Sequence, residues 1–220
     1  MQQQPHDLIA VAFDRLPLGF RVKPADTAAF PVKQLLLPLW EPGADDTADW
    51  PRQLAEYAAE NGTELITAEA GDRYPLGGGT LMILQGGSGD AASVNDISLC
   101  TMFTAGDFRF LDTGDAEEAA EQRLLDTYGS ALHAVLYKAG HHGSYTSNSA
   151  AFLQAVRPAA VAVSCGLDND YGHPHRAALE NFAAVEAEVY RTDQEGSLTF
   201  LWQNNTLSVE TTADACAPAA

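Results

Sequence analysis

Basic residues are scarce in this sequence: 12 lysines and arginines stand against 30 aspartates and glutamates, a formal charge of −18 at pH 7. A chain this acidic repels polyanions at long range, so a nucleic-acid partner is excluded unless metal ions or a local basic patch bridge the two. Cysteine is equally thin. Cys100, Cys165 and Cys216 fit neither a C-x-x-C motif nor a disulfide framework, and their odd number leaves at least one free, which points to a reducing compartment. No apolar run approaches the ~18 to 20 residues of a membrane span. The N-terminus also lacks the basic flank and apolar block of a signal peptide, so the expectation for the chain as it stands is a soluble, cytoplasmic protein. Histidine is missing from most of the first half, where His6, followed by Asp7, precedes a gap that runs to His133.

What is present is enough for a core. With 220 residues and 46% hydrophobic content, the chain supports one globular domain, and no internal repeat divides it. Residues 1–30 carry no sustained hydrophobic period and are expected to be irregular. Val32 to Leu39 reads as a short buried strand closed by Pro38, Trp50 to Asn61 as a helix stopped by Gly62, and Glu64 to Thr67 as a second strand. Strand, helix, strand is the start of a layered α/β domain. The glycines at 77–79 lack the Gly-Lys-Ser/Thr ending of a phosphate loop and read as a turn before the strand at 80–84. Further strands are expected at 99–103, 108–111, 134–138, 160–165, 189–192, 197–202 and 207–210. Helices are expected at 117–128, 150–156 and 176–184, with Asn148 or Ser149 as a cap. The domain is placed at 31–210, followed by a disordered tail at 211–220.

Four of the six histidines fall between 141 and 175, and they carry the strongest chemical signal. Gly140-His141-His142-Gly143-Ser144 follows an apolar strand. Asp115 follows another, after Thr113-Gly114, and His173-Pro174-His175 arrives by a loop after a third. A layered sheet brings such strand ends to one edge, where sites form. Asp115 alone reads as a turn aspartate after glycine, the histidine pair alone as a solvated loop, and His173 alone as a helix-entry residue; His175 reads as a surface or supporting group. Together they read as a metal site, because zinc or manganese accepts imidazole and carboxylate at once and makes bound water nucleophilic near neutral pH. Hydrolysis is the default chemistry of such a site.

The ordered series Asn95-Asp96-Ile97-Ser98, Thr113-Gly114-Asp115, His141-His142-Gly143-Ser144 and Tyr171-Gly172-His173-Pro174 resembles the metallo-β-lactamase superfamily. The pattern is most like the C-terminal hydrolase domain of ComEC-type DNA-uptake proteins and their free-standing relatives, and it covers about Phe30 to Trp202. The resemblance implies an αββα sandwich and a hydrolase with one or two zinc or manganese ions acting on phosphodiesters or nucleic acid. It casts Asp115, His141, His142 and His173 as metal ligands, Asp115 and His142 as catalytic, and Asn95 and Ser144 as groups that shape the pocket.

The H-x-H-x-D-H motif that such hydrolases carry before the strand matching 32–37 is absent from this sequence. The family's first β-layer and opening strands are expected to be missing in part as well. Two readings follow: a metal-dependent hydrolase whose first motif lies elsewhere, or a catalytically silent module of the same fold that binds or scaffolds. A second copy or a partner could supply the missing half, and a longer channel protein would place the domain at a membrane.

Overall fold

The computed structural model describes residues 8–11, 32–39, 50–86 and 93–212. Strands β1 (Leu8–Val11), β2 (Val32–Leu37) and β3 (Glu64–Thr67) form a parallel three-stranded sheet in the order β1-β2-β3. Helix α1 (Trp50–Asn61) is the crossover that parallel pairing of β2 with β3 requires. β1 stands within the stretch expected to be irregular: four residues are too few to show a period, and pairing to β2 defines them. Otherwise residues 1–31 and the tail from 213 lie outside the described residues.

The second sheet has seven strands: β4 (Arg73–Leu76), β5 (Gly79–Gln85), β6 (Cys100–Ala105), β7 (Phe108–Asp112), β8 (Leu136–Lys138), β9 (Ala160–Val163) and β10 (Glu188–Arg191). They lie side by side in the order of the chain, antiparallel from β4 to β7 and parallel from β7 to β10. Gly77, with φ +55, makes the tight β4–β5 turn, so the triple glycine is a hairpin as expected. β4 itself was not legible, because Pro75 breaks the strand pattern. Proline is tolerated there because β4 is the sheet's edge.

Side chains alternate along these strands and feed two cores. From β5, Leu81 and Ile83 join Leu36 of β2 and Ile66 of β3, which seats the small sheet on one face. Leu84 of the same strand, with Met102, Leu111, Tyr137, Val161 and Val163, turns to the other face. There it meets α2 (Glu118–Tyr128), α3 (Ala150–Val156) and α4 (Arg176–Ala184), which contribute Leu124, Phe152, Leu153 and Phe182. Phe152 and Phe182 are fully buried, each stabilising the fold by about 1.5–3 kcal/mol. A hairpin of β11 (Leu198–Gln203) and β12 (Thr206–Thr211) follows a short turn α5 (Thr192–Glu195), and its Trp202 and Phe200 rings rest on Phe108 and Tyr190.

The architecture is therefore mixed α/β with two sheets packed face to face and helices over the larger one. The smaller sheet has three strands among the described residues. Among the described residues no helix is long and apolar enough to cross a membrane.

Candidate functional site

The parallel strands β7, β8 and β9 end at one edge of the large sheet, and their following loops carry the residues singled out by sequence. After β7, the Asp112 carboxylate accepts from the Gly114 N–H at 2.8 Å, and Gly114 takes φ +56, which reverses the chain within two residues. Asp115 then points inward. Its N–H donates to Ser98 Oγ at 3.1 Å and its side chain is buried. Oδ1 of Asp115 finds no hydrogen-bond partner among the described residues. A buried carboxylate oxygen left without a donor costs free energy, so it needs a reason.

A histidine faces it. His142 Nε2 stands 3.6 Å from Asp115 Oδ1. The other ring nitrogen, Nδ1, is 2.8 Å from the Ser164 carbonyl at the end of β9. A carbonyl only accepts, so in the neutral ring Nδ1 carries the proton and Nε2 presents its lone pair toward Asp115, the arrangement a metal-binding imidazole uses. His141 and His142 both adopt the left-handed region, with φ/ψ of 47/47 and 57/22. For residues with a Cβ this costs roughly 1–2 kcal/mol each, and several contacts hold the turn against it. The His141 N–H donates to the Gly114 carbonyl at 2.9 Å, tying the two loops together, and the His175 N–H donates to the Gly143 carbonyl at 2.9 Å. Gly143 has φ +82, and a Cβ there would stand 2.6 Å from Pro174, so glycine lets the third loop close over the turn.

His173 completes the cluster. Its ring centroid lies 5.6 Å from His141, 6.0 Å from His142 and 4.8 Å from His175. Asn169 holds its backbone on both sides, Oδ1 accepting from the His173 N–H and Nδ2 donating to its carbonyl. Burial, and then the neighbouring His175, His141 and His142, push its pKa down to about 4, so the ring is neutral at pH 7. His175 caps no helix N–H with its side chain; its Nδ1 accepts from the Tyr145 N–H at 3.2 Å instead. It supports the loop.

Asn95 and Ser144 take different places from each other. Asn95 Nδ2 donates to Glu117 Oε1 at 3.0 Å, and its buried Oδ1, like that of Asp115, has no partner among the described residues. Glu117 in turn lies 3.7 Å from His141 Nδ1, which also sits 3.3 Å from Thr146 Oγ1. The buried Ser144 hydroxyl lies 3.0 Å from Thr146 Oγ1 and accepts from the Thr146 N–H at 3.3 Å, which orders the loop.

Three residues that sequence reasoning passed over, or took only for a helix cap, hold the whole turn in place. Asn148 is fully buried; its Oδ1 accepts from Tyr137 Oη and the Gly140 N–H, and its Nδ2 donates to the carbonyls of Gly140 and Ser144. Burial keeps the Tyr137 phenol well above its ordinary pKa, so it remains a donor. Glu121 accepts from the N–H groups of Asn148 and Ser149 with its two oxygens; burial raises its pKa, while hydrogen bonds from the Ser149 side chain and from the Ser149 and Asn148 backbone oppose the rise. The helix cap is Ser149, whose Oγ accepts from the Phe152 N–H. A sequence signal for Glu121 existed: an acid on the apolar face of α2, beside Ala120 and Leu124.

Among the described residues no three His, Cys, Asp or Glu side chains converge closely enough to hold an ion together. Two do. Donors each bound at about 2.1 Å to one ion can stand up to about 4.2 Å apart, so the 3.6 Å between His142 Nε2 and Asp115 Oδ1 fits a shared cation. His141 and His173 lie beside this pair as further imidazoles.

No family model matches this chain. Over 152 residues it is 30% identical to ComE operon protein 3 of Bacillus subtilis, covering 69% of this chain and 20% of that protein. Over 106 residues it is 38% identical to the competence protein ComA of Neisseria gonorrhoeae, covering 48% and 15%. The chain thus spans about a fifth or less of the length of these relatives. Among solved structures, the metallo-β-lactamase fold protein YhfI of Bacillus subtilis aligns over 73% of this chain and 74% of its own, with 12% identity and a TM-score of 0.41.

Proposed function

We propose that this chain, a ComEC-like protein of the metallo-β-lactamase fold, is the part of a metal-dependent phosphodiesterase that carries the later ligands, Asp115, His142 and His173. The observation that supports this most is the buried Asp115 Oδ1 without a hydrogen-bond donor, 3.6 Å from His142 Nε2. A zinc or manganese ion bound there supplies Lewis-acid activation of water or of a phosphoryl group. The chain's own residues do the rest. The Ser164 carbonyl fixes the His142 tautomer, Glu117 and Thr146 orient His141, and neutral His173 offers a further lone pair. The competence names of the relatives favour DNA as the phosphodiester, in the setting of DNA uptake.

Because H-x-H-x-D-H is absent from the sequence, the site holds at most one divalent ion per chain, and weakly, since few ligands with few supporting groups bind metal poorly. The test is zinc and manganese titration followed by hydrolysis of bis(p-nitrophenyl) phosphate and single-stranded DNA. Weak binding of one ion that Asp115→Asn abolishes, with metal-dependent turnover lost in the same variant, supports the proposal. Tight binding of two ions would overturn the incomplete site. A silent module is the second reading, favoured by the lack of three converging donors among the described residues; it predicts neither metal uptake nor turnover.

A further inference from the structure

At the far end of β7 from the histidines, a cavity of about 410 Å³ opens on the helix side of the large sheet. Strand pairing sets its chemistry. Thr80 lies opposite Thr104 and Thr104 opposite Arg109, while Arg73 lies opposite Met82 and Met82 opposite Met102. Directly paired residues of antiparallel strands share a face, so two guanidinium groups and two hydroxyls project into one space above a floor of methionine. Tyr128, at the end of α2, forms a wall, its hydroxyl donating to the Leu84 carbonyl.

Two observations mark this space as a binding site rather than a gap. In a chain of charge −18, the described residues lining it include two arginines and no acid. Arg109 is also held in place at the cavity wall, where an Nη group donates to the Ala131 carbonyl and fixes the guanidinium. Two guanidinium groups in one lining without a carboxylate beside them fit an oxyanion, which guanidinium groups bind with paired hydrogen bonds.

We propose that this cavity binds a phosphate monoester carrying an apolar or aromatic body, of mononucleotide size. Arg73 and Arg109 take the phosphate, Thr80 and Thr104 donate to its remaining oxygens, and Met82, Met102 and Tyr128 receive the body. The volume falls in the range of small-molecule pockets. Arg109 is the second residue of β7 and Asp112 its last, about 10 Å apart along the strand. The cavity is therefore separate from the Asp115–His142 pair and needs no metal.

Calorimetric titration of the full chain with adenosine 5′-monophosphate, adenosine and inorganic phosphate, in EDTA, tests it. The monophosphate is expected to bind more tightly than either fragment, and more weakly as salt rises. Arg73→Ala, at an exposed rim position, and Arg109→Lys should each weaken binding about tenfold to a hundredfold, whereas Asp115→Asn should leave it unchanged. Circular dichroism confirms that each variant is folded. Absence of monophosphate binding would overturn the proposal. So would binding that survives Arg73→Ala, binding lost in Asp115→Asn, or inorganic phosphate binding as tightly as the nucleotide.

Discussion

Replacing Asn148 separates the framework of the histidine turn from its chemistry. The fully buried side chain makes four hydrogen bonds, two accepted by Oδ1 and two donated by Nδ2, and the residue sits at φ +62. Asn148→Gly keeps the left-handed backbone and deletes the amide. The Gly140 N–H retains Tyr137 Oη at 3.0 Å, but the carbonyls of Gly140 and Ser144 lose a shared donor. With each buried group left unsatisfied costing about 1–3 kcal/mol, the variant should lose about 2–5 kcal/mol. Asn148→Ala removes the same amide and adds left-handed strain of roughly 1–2 kcal/mol, so it should unfold earlier than the glycine variant. Urea denaturation of the three proteins reads both differences, and a domain of this size shifts its Tm by roughly 2–4 °C per kcal/mol. A loss below about 1 kcal/mol in Asn148→Gly, set against the net worth of even one hydrogen bond, would refute the view that this amide holds the turn. Equal stability of the alanine and glycine variants would refute the strain.

Other perturbations reach the remaining parts of the site. Asp115→Asn removes a buried charge and offers Nδ2 to the His142 lone pair, so in EDTA the protein should gain about 1 kcal/mol of stability while losing cation binding; urea melts with and without zinc measure both. His173 has its pKa lowered to about 4, so above the ordinary histidine value the folded and unfolded states are both neutral and its contribution is complete. As pH falls below about 6.5 the unfolded chain takes up the proton first. Stability should therefore fall from there to about pH 4, and His173→Asn should flatten that slope in urea melts taken across the range. Gly143→Ala meets Pro174 at 2.6 Å and forces a side chain onto φ +82, so it should cost about 2 kcal/mol or more and weaken metal binding, read by denaturation and zinc titration.

Much of the fold was legible because its signals are local. Trp50–Asn61, Glu64–Thr67, Ala150–Val156 and Arg176–Ala184 have the bounds the hydrophobic period and the flanking glycine, serine or proline suggest. β4 was hidden by Pro75, and β1 by its four-residue length. Within the site, Asp115 and the three histidines were visible by their place after strands. The role of Glu121 was not, beyond its place as an acid on the apolar face of α2, because it serves N–H groups 27 and 28 residues away in sequence. Nor was the role of Asn148, whose amide reaches back to Tyr137 and Gly140 as the turn closes on itself. Residues that support a site by bonding to backbone leave little trace in sequence, since any backbone offers the same groups.

The seven strands of the large sheet lie in the order in which they occur along the chain, and this bears on how the protein is made. A nascent chain that has cleared Asp112 already contains an antiparallel meander of four strands, each paired with the next along the chain. Each later strand then docks on the open side of β7, β8 or β9 after its own helix has emerged, and never has to force apart strands already joined. Growth at one edge suits folding during synthesis, where the N-terminal region is available first. The histidine turn and the loop that covers it arrive on this side, so the site is completed only as the last parallel strands join.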